Sequence, residues 1–246
     1  MKAIILAAGY ATRLYPLTKD KPKSLLEVGG KTILEHILIK IAKVATVDQV
    51  YIVTNHRFFE KFQTWVANYR FSKPITVLDD GTTDNENRLG AIADLQFAIG
   101  RERLDDDLLV LAGDNLFDFE LSDLVAFFEQ KRSDMITTYE LGDLGQLRRT
   151  GVIEVNADYQ VISFEEKPET PKSNLAVPPF YIYCRETLPL IREYLREGQN
   201  SDAPGNFIPW LLQKRPVYAY KFHGRRYDIG TVESYREVCR IFTIKN

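Results

Sequence analysis

Apolar and polar positions follow two different periods in the first half of the chain, and each period predicts a different kind of element. Short continuous apolar runs predict buried strands at residues 3–7, 50–54, 75–78 and 108–112. Apolar residues at helical spacing predict helices at residues 33–44, 58–69 and about 89–99. Thr32 and Glu35 form a capping-box pattern at the start of the first helix. This alternation predicts an α/β fold with a doubly wound, mixed but mainly parallel sheet, whose ligands bind at the carboxyl ends of the strands.

The second half of the chain has shorter apolar runs and predicts a β-rich part. Strands are predicted at residues 135–139, 151–155, 161–164, 180–183 and 217–222. Helices are predicted at residues 188–195, 207–213 and 232–242. Because no linker-like composition and no repeat interrupts the chain, we predict a single domain over 1–246, with a first part at 1–140 and a second part at 141–246.

Composition excludes several classes of protein. The chain has 246 residues, 45% of them hydrophobic, which is enough for a substantial core. Its net charge of −2 gives no basic footprint for nucleic acid, and no apolar run is long enough to predict a membrane span. Cys184 and Cys239 lack metal-ligand spacing and are expected to be free thiols. A first strand directly at the N-terminus predicts no signal peptide, so a cytoplasmic protein is expected.

The stretch from Leu6 to Lys23 is the most informative part of the sequence. It begins where the first predicted strand ends, and Ala8 and Gly9 carry little or no side chain. Backbone N–H groups in such a loop can approach phosphate oxygens closely, and Arg13 and Lys23 add fixed positive charge. An ordinary strand-to-helix loop would explain any one of these residues, but it explains their combination poorly. The stretch predicts a polyphosphate-binding loop.

Five short motifs follow one another along the chain. They are Ala7-Ala8-Gly9 with Thr12-Arg13, Pro16-Leu17-Thr18 with Pro22-Lys23-Ser24-Leu25, Gly113-Asp114-Asn115, Glu166-Lys167-Pro168, and Tyr227-Asp228-Ile229-Gly230-Thr231. In this order the chain resembles the sugar nucleotidyltransferases, or NDP-sugar pyrophosphorylases, and especially the glucose-1-phosphate thymidylyltransferases. It departs from them at Ala8 and Ala11, where glycine is common, and both methyl groups require a negative φ.

The resemblance implies a Rossmann-like nucleotidyltransferase fold, with a nucleotide-binding first part and a sugar-phosphate-binding second part. It implies transfer of a nucleoside monophosphate from a nucleoside triphosphate to a sugar 1-phosphate, with release of pyrophosphate. The nucleotide-binding residues that it implies are Leu6, Ala8, Gly9, Thr12, Arg13, Asn85 and Gly90. Asn85 stands where relatives carry a glutamine that binds the base, five residues before a glycine. Because asparagine is one methylene shorter, the base stays open, with dTTP or UTP favoured and cytosine not excluded.

Two aspartates are candidate metal ligands. Asp114 follows the most continuous apolar strand, and Asp228 lies in the last of the five motifs. Mg²⁺ is commonly held by one or two carboxylates together with substrate phosphate oxygens and water. The resemblance implies that both aspartates hold Mg²⁺ between the nucleotide and the sugar phosphate. Asp105-Asp106-Asp107 precedes its strand at the opposite edge, where a solvated loop is expected.

The catalytic residues implied by the resemblance are Arg13, Lys23, Asp114 and Asp228. Arg13 would balance the charge of the leaving pyrophosphate, and Lys23 would contact the α-phosphate or the attacking phosphate. Such a reaction depends on alignment and charge neutralisation rather than on a general base.

Four residues are implied to bind the sugar phosphate. Glu166 would accept hydrogen bonds from sugar hydroxyls, Lys167 would meet the phosphate, and Gly151 and Val177 match sugar-contacting positions. Pro178-Pro179 replaces residues that supply two backbone N–H donors in relatives, which leaves the identity of the sugar open. Asn206, Phe207 and Trp210 fit either a lid over a sugar or a core or interface role.

Three other functions are alternatives to sugar nucleotidyl transfer. A regulatory subunit that binds nucleotide without reacting would be expected to lose charged positions, whereas this chain keeps them. A dinucleotide-dependent dehydrogenase leaves Lys23 unexplained and requires a Gly-x-Gly-x-x-Gly loop that is missing. Cytidylyl transfer to another phosphorylated alcohol stays open. The short C-terminal part predicts neither a hexapeptide-repeat acetyltransferase nor an effector site in additional helices, and a homo-oligomer is left open.

Overall fold

The computed structural model describes residues 1–244. Its strands, β1 to β14 in chain order, are Lys2–Leu6, Glu27–Val28, Lys31–Thr32, Gln49–Thr54, Ile75–Asp79, Leu108–Ala112, Asn115–Phe117, Asp134–Glu140, Gly151–Val155, Val161–Glu166, Leu175–Val177, Phe180–Tyr183, Val217–Lys221 and Arg226–Asp228. Its helices, α1 to α8, are Ile33–Ala42, His56–Asn68, Ala91–Glu102, Leu121–Lys131, Leu144–Leu147, Leu188–Arg196, Phe207–Leu211 and Val232–Ile244. Single 3-10 turns occur at Thr12–Leu14, Lys23–Leu25, Arg185–Thr187 and Pro204–Asn206.

The chain divides into two compact units, and each is built from segments that are distant in sequence. Unit 1 contains Met1, Leu89–Leu111 and Ser122–His223. Unit 2 contains Lys2–Arg88, Ala112–Leu121 and the described part of Gly224–Asn246. The single domain divided at about residue 140 stays a prediction.

Unit 2 is built around parallel strands. β1 pairs with β4 from Lys2 opposite Gln49, and β4 pairs with β5 from Val50 opposite Ile75. α2 packs on β4 and β5, and α1 packs on β7. Two antiparallel pairs complete the unit, β2 with β3 and β7 with β14. β1 and β4 are almost continuously buried, as expected for strands covered on both faces, whereas only Leu78 of β5 is buried.

The helices of unit 2 begin where side chains satisfy their free N–H groups. The Thr32 hydroxyl accepts from the Glu35 N–H at 3.1 Å, and the Glu35 carboxylate accepts from the Thr32 N–H at 2.5 Å. This confirms the predicted capping box at the start of α1. The buried face of α1 then follows helical spacing, with Ile33, Ile37 and Ile41 at most 1% exposed.

Unit 1 is the β-rich unit. Its strands lie in the order β10, β9, β11, β8, β12, β6, with antiparallel pairing between neighbours, and β13 pairs in parallel with β8. α3 packs on α6, α6 on α7, and α7 on β10. The predicted α/β fold with a mixed sheet and a β-rich part is therefore confirmed.

The two cysteines are free: Cys184 is buried and Cys239 is partly buried. Burial raises the pKa of the Cys184 thiol to about 12, so this thiol stays protonated and unreactive. Within residues 1–244, none of the helices combines the length and the apolar character that crossing a membrane requires.

Candidate functional site

The loop after β1 is held at its start by a buried amide. The Ala7 N–H donates to the carbonyl of Val53 at 2.8 Å, and the Asn55 amide donates to the carbonyl of Ala8 at 2.8 Å. Asn55 is fully buried, and its side-chain oxygen accepts from the Phe58 N–H at the start of α2. One side chain therefore positions both the loop and the helix, a role that the sequence analysis missed.

The backbone of the loop turns sharply at Ala11. Ala11 has φ 48° and ψ 42°, in the left-handed region, so the predicted negative φ is wrong at this residue. The carbonyl of Ala11 accepts from the Leu14 N–H at 2.9 Å and from the Thr18 hydroxyl at 2.8 Å. These two bonds hold a conformation that costs a residue with a Cβ about 1 kcal/mol or more. Ala8 keeps a φ outside this region, as predicted.

The bend of the loop is open to solvent at the residues expected to meet phosphate. Gly9, Thr12 and Arg13 are exposed, and a Cβ on Gly9 would meet nothing within 4 Å. An exposed bend beside a guanidinium can receive an anionic group without displacing protein atoms. This placement suits the predicted phosphate loop, and the phosphate contacts themselves stay predictions.

Lys23 and Asp114 form an ion pair although they lie 91 residues apart in sequence. The Nζ–Oδ2 distance is 2.8 Å, and the side chains are 10% and 41% exposed. Next to this pair, the Gly113 N–H donates to the carbonyl of Leu6 at 2.8 Å. A Cβ on Gly113 would lie 2.9 Å from the Ser24 Oγ, so the missing side chain lets the Lys23 turn approach β1 closely. The second and third motifs therefore meet at the end of β1.

The surroundings of Asp114 favour its ionised form. Burial raises the pKa of this carboxyl, but the Lys23 ammonium, the Arg226 guanidinium and the hydrogen bond from Asn115 together outweigh burial. The pKa of Asp114 therefore lies below its usual value, and the group carries a negative charge at neutral pH.

Asp228 reaches the same array through a short strand pair. In the β7–β14 ladder Asn115 lies opposite Asp228. The Asn115 amide donates to Asp114 at 2.6 Å, and the Arg226 Nε donates to the Asn115 Oδ1 at 2.6 Å. Arg226 also lies 3.5 Å from the Asp228 carboxylate. The structure therefore brings both predicted metal ligands into one array of polar side chains in unit 2.

The sequence analysis assigned no role to Arg226. Its side chain is 15% exposed and lies between Asn115 and Asp228. The pattern that could have indicated it is the alternation of Arg226, buried Tyr227 and exposed Asp228, because side chains of a strand alternate between its two faces. Three residues are too few to predict a strand by this pattern alone.

The donor set of the array suits a hard divalent cation. Asp114 and Asp228 offer carboxylate oxygens on side chains that are 41% and 60% exposed. Among the described residues, no group of three or more histidine, cysteine, aspartate or glutamate side chains forms a metal cluster. Mg²⁺ needs only one or two carboxylates when phosphate oxygens and water complete its octahedron, so these residues fit it.

The carboxylates of Asp105, Asp106 and Asp107 form ion pairs and accept backbone hydrogen bonds, and they do not converge on a metal position. Asp105 pairs with Arg185 at 2.6 Å, and Asp106 pairs with the amino group of Met1 at 2.9 Å. Asp107 accepts from the Arg185 N–H at 2.9 Å. These contacts lie in unit 1, where Asp105 is exposed and Asp106 and Asp107 are partly exposed, which agrees with the expected solvated loop.

The predicted base-binding loop is a tight polar turn. Asp84 accepts from the N–H groups of Glu86 and Asn87, both at 2.9 Å. The Arg88 guanidinium donates to the carbonyl of Asn85 at 2.8 Å, and the Asn85 side chain is exposed. The amide of Asn85 is therefore accessible to a ligand from solvent, and its base-binding role stays a prediction.

Gly90 has a packing role of its own. It has φ 92° and directly precedes α3 in unit 1. A Cβ on Gly90 would lie 2.6 Å from the carbonyl oxygen of Ser201, and the Ala91 N–H donates to the carbonyl of Asp202 at 3.2 Å. The close backbone approach therefore requires glycine at this position, and the nucleotide-binding role of Gly90 stays a prediction.

Three of the predicted sugar-binding residues form one row in unit 1. Gly151 of β9 lies opposite Glu166 of β10 on one side and opposite Val177 of β11 on the other. Thr150 closes the end of this row, because its hydroxyl donates to the Val177 carbonyl at 3.1 Å and its carbonyl accepts from the Lys167 N–H at 3.1 Å. The register therefore brings together residues that were inferred separately from motifs.

Glu166 and Lys167 differ strongly in their exposure. The Glu166 side chain is 24% exposed, and burial raises the pKa of its carboxyl against the lowering effect of Lys167. Lys167 has φ 50°, and its Nζ lies 3.7 Å from Glu166 on a side chain that is 60% exposed. A partly buried carboxylate can accept hydroxyl hydrogen bonds, and the exposed ammonium beside it is accessible to an anion.

Phe164 and Gly205 lie beside this row, and the sequence analysis did not identify either of them. The Phe164 ring ends between Gly151 and Gly205, because a Cβ on either glycine would lie 2.5 Å or 2.9 Å from the ring Cζ. A Cβ on Gly205 would also collide with the Glu166 carboxylate. Both glycines leave room for the Glu166 side chain. No local pattern distinguishes them, because the close approach arises from segments distant in sequence.

The aromatic residues after Gly205 belong to the core. Phe207 is fully buried and Trp210 is 9% exposed, and the Trp210 indole donates to Glu197 at 2.7 Å. Tyr194 packs edge-on against both rings, at 5.2 and 5.7 Å. The core interpretation of Phe207 and Trp210 is therefore favoured over a lid.

Comparisons with known proteins agree with the motifs. The profile of the nucleotidyl transferase family matches residues 2–243. A UTP–glucose-1-phosphate uridylyltransferase of Haloferax volcanii is 29% identical over 234 residues, covering 95% of this chain and 93% of that protein. A glucose-1-phosphate adenylyltransferase of Bacillus subtilis is 29% identical over 249 residues, which are 94% of this chain and 64% of the relative. The bifunctional protein GlmU of Methanocaldococcus jannaschii is 28% identical over 230 residues, but the match spans only 51% of it.

Solved structures share the fold over the whole chain. A UDP-glucose pyrophosphorylase complexed with UDP-glucose superposes with a TM-score of 0.85 at 20% identity, covering 100% of this chain and 99% of that one. A protein described as a glucose-1-phosphate thymidylyltransferase from Bacillus anthracis gives a TM-score of 0.77 at 24% identity, with 98% and 95% coverage. At these identities the likeness establishes the fold alone.

Proposed function

The chain belongs to the nucleotidyl transferase family, and we propose that it is a sugar-1-phosphate nucleotidyltransferase. It would transfer a nucleoside monophosphate from a nucleoside triphosphate to a sugar 1-phosphate, releasing pyrophosphate and forming an NDP-sugar. The observation that carries this proposal is the array in unit 2, where Lys23 pairs with Asp114 and Asp228 lies across a strand pair from Asn115.

UTP and glucose 1-phosphate are the first substrate pair to test, and dTTP is the next nucleotide. The uridylyltransferase of Haloferax volcanii supports this choice because the match covers nearly all of both chains. The exposed amide of Asn85 offers a donor and an acceptor to a pyrimidine edge. Pro178 and Pro179 after β11 make other sugar 1-phosphates real competitors, because they lack N–H donors.

The chemistry proposed for these residues needs no general base. The sugar 1-phosphate is already ionised at neutral pH, so one of its oxygens attacks the α-phosphorus of the nucleotide in line. A new P–O bond forms, the bond between the α-phosphorus and the oxygen bridging to the β-phosphorus breaks, and pyrophosphate leaves with that electron pair. Lys23 and Arg13 would stabilise the charge that develops on the phosphate oxygens.

Asp114 and Asp228 would hold the divalent cation, and Arg226 would position Asp114 through Asn115 and Asp228 through its own ion pair. When bound, the cation would supply positive charge to phosphate oxygens. Glu166, Gly151 and Val177 would bind the sugar hydroxyls, and Lys167 would bind the sugar's phosphate.

A pyrophosphate-release screen tests this function directly. The common nucleoside triphosphates are combined with a panel of sugar 1-phosphates and phosphorylated alcohols in the presence of Mg²⁺. We expect turnover with a pyrimidine nucleotide and a sugar 1-phosphate. Turnover only with CTP and a non-sugar phosphate would assign cytidylyl transfer, and no turnover with any pair would favour a non-reacting regulatory subunit.

Two lysine variants provide the control for the screen. Lys23→Met removes the ammonium paired with Asp114, and a loss of roughly 10²-fold in turnover is expected for one preorganised charge contact. Lys21→Met changes a half-exposed lysine that lies 3.6 Å from Glu27, and its turnover should stay near wild type. Equal activity of the two variants would contradict the assignment of Lys23.

A further inference from the structure

A second concave site lies within unit 1, between α3 and α6. It encloses about 470 Å³, which is in the size range of small-ligand pockets. None of the residues that the proposed transferase site uses lines this pocket. Its walls combine cationic, apolar and amide groups from the two helices and from the segments that precede α6 and follow α3.

The charges on the pocket wall are not balanced. Arg185 forms a bidentate pair with Asp105 at 2.6 Å, and Glu193 pairs with Lys214 at 3.1 Å. Arg192 and Arg196 also line the pocket, one helical turn apart on α6, and they have no ion pair with any other described residue. Two neighbouring guanidinium groups are therefore available to one anion.

The floor of the pocket is apolar. Ile99 of α3 and Leu188 of α6 are 8% and 5% exposed, and Leu104 and Pro189 extend the same surface. Leu104 is partly exposed and Pro189 is exposed, so an organic group attached to the anion would bury this part of the apolar surface, whereas a hydrated inorganic ion would not.

The side-chain amide of Gln96 adds a possible hydrogen-bond acceptor for a ligand. Gln96 lines the pocket from α3, and its Oε1 is buried without a hydrogen-bond partner among the described residues. Buried side-chain oxygens are nearly always hydrogen-bonded, so a rotation of this amide into the pocket would let its oxygen accept from a bound donor.

We propose that this pocket binds a small organic phosphate. Its phosphate would be held by Arg192 and Arg196, its apolar body would cover Leu104 and Pro189, and a donor on that body would bond the Gln96 amide after a rotation of that amide into the pocket. A phosphate has three terminal oxygens and uses donors from two guanidinium groups, whereas one arginine satisfies a carboxylate. A merely solvated helix face would explain the two arginines, but not their position over a buried apolar floor beside a buried amide oxygen.

Calorimetric titration with phenyl phosphate tests the site. The titration compares the wild-type chain with the double variant Arg192→Ala/Arg196→Ala and with the control Arg70→Ala/Arg240→Ala. The control removes the same charge from two exposed arginines that are outside the pocket. We expect one saturable site in the wild type and control, and at least tenfold weaker binding in the Arg192→Ala/Arg196→Ala variant, with pyrophosphate release in the absence of phenyl phosphate unchanged.

Further ligands separate the parts of the proposal. Benzoate and inorganic phosphate should each bind more weakly than phenyl phosphate, because one lacks the third oxygen and the other lacks the apolar body. 4-Aminophenyl phosphate should gain affinity over phenyl phosphate in the wild type, and this gain should disappear in Gln96→Met.

Several results would overturn the proposal. They are no binding of phenyl phosphate to the wild type, equal affinity in the two double variants, or equal affinity for phenyl phosphate, benzoate and inorganic phosphate. Thermal melts of each variant verify that the fold is retained. None of the mutated residues belongs to the proposed transferase site, so this test and the pyrophosphate screen fail independently.

Discussion

At the scale of single residues, Asp134 shows how burial outweighs favourable partners. It begins β8 and is fully buried, and it accepts from the Cys184 N–H and the Thr187 hydroxyl, both at 2.8 Å. Arg215 Nε lies 3.4 Å away and makes no hydrogen bond within the described residues. Burial raises the pKa of Asp134 to about 6 in spite of these groups.

This raised pKa predicts a pH-dependent contribution to stability. Because the folded protein binds the Asp134 proton more tightly than the unfolded chain, the contribution is fully present below pH about 4 and is lost as the pH rises through about 6. The advantage of wild type over Asp134→Asn in the free energy of unfolding should therefore fall by up to about 3 kcal/mol between these limits. Denaturant unfolding at several pH values measures it.

An exposed aspartate in the same unit is the control for this measurement. Asp158→Asn changes an exposed carboxyl group, and its stability difference from wild type should stay nearly constant with pH. A difference between wild type and Asp134→Asn that is flat, or that grows as the pH rises, would contradict the assignment.

At the scale of elements, strand register rather than motif identity assembles the candidate sugar site. Gly151 stands between Glu166 and Val177 because β9 pairs antiparallel with both β10 and β11. A slip of one residue in either pair would turn alternate side chains to the other face of the sheet. The function proposed for these residues therefore depends on this register.

Adding a methyl group at Gly151 should disturb the row. In Gly151→Ala the new Cβ would lie 2.5 Å from Phe164, whose ring has Gly205 on its other side. We expect a loss of roughly 1–3 kcal/mol in the free energy of unfolding and a raised KM for the sugar phosphate, as for an overpacked core. Shortening the ring with Phe164→Leu in the same chain should restore part of the lost stability.

Gly142→Ala is the matched control, because a Cβ there would meet nothing within 4 Å. Its effect on unfolding should stay within about 0.5 kcal/mol. Equal stability of the two alanine variants would show that the Phe164 ring moves aside freely, against the packing described above.

Most of the long elements were predictable from the sequence, and the shortest strands were not. β6, β9 and β12 have the predicted bounds, and the predicted helices start or end within a few residues of α1, α2, α3 and α6. β7, β11 and β14 have three residues each and were missed, because three residues show no periodicity. α4 was missed as well, although its eleven residues include buried Leu121, Leu124 and Phe128.

At the scale of the whole molecule, each unit draws on segments far apart in sequence. Unit 2 takes Lys23 from its first segment, Asp114 from the second and Asp228 from the third. These three charged residues come together only when all three segments of unit 2 are packed. The proposed nucleotide site therefore exists only in the folded unit 2.

Nucleotide binding should accordingly stabilise the molecule. A ligand that binds only the folded state at about 100 times its Kd adds roughly 2.7 kcal/mol, which corresponds to about 5–10 °C in Tm for a chain of this size. We expect UTP with Mg²⁺ to produce such a shift in a thermal melt and Lys23→Met to lose most of it. ATP at the same concentration serves as the comparison for the base.

The comparison of UTP with ATP separates base preference from nucleotide binding itself. Equal shifts with UTP and ATP would contradict pyrimidine preference while leaving nucleotide binding intact. No shift with either nucleotide would contradict binding in unit 2 altogether.

The sequence by itself determined the family, the kinds of long elements and the residue types available for phosphate chemistry. These properties are carried by local order: apolar periodicity, a capping box, and five motifs in a recognisable succession. Only the tertiary structure decided that Lys23 pairs with Asp114, that Arg226 joins Asp228 to Asn115, and that Ala11 adopts a positive φ. Only the tertiary structure revealed the pocket between α3 and α6. The physical reason is that distances, register and burial arise between segments separated by many residues, where no local pattern in the chain encodes them.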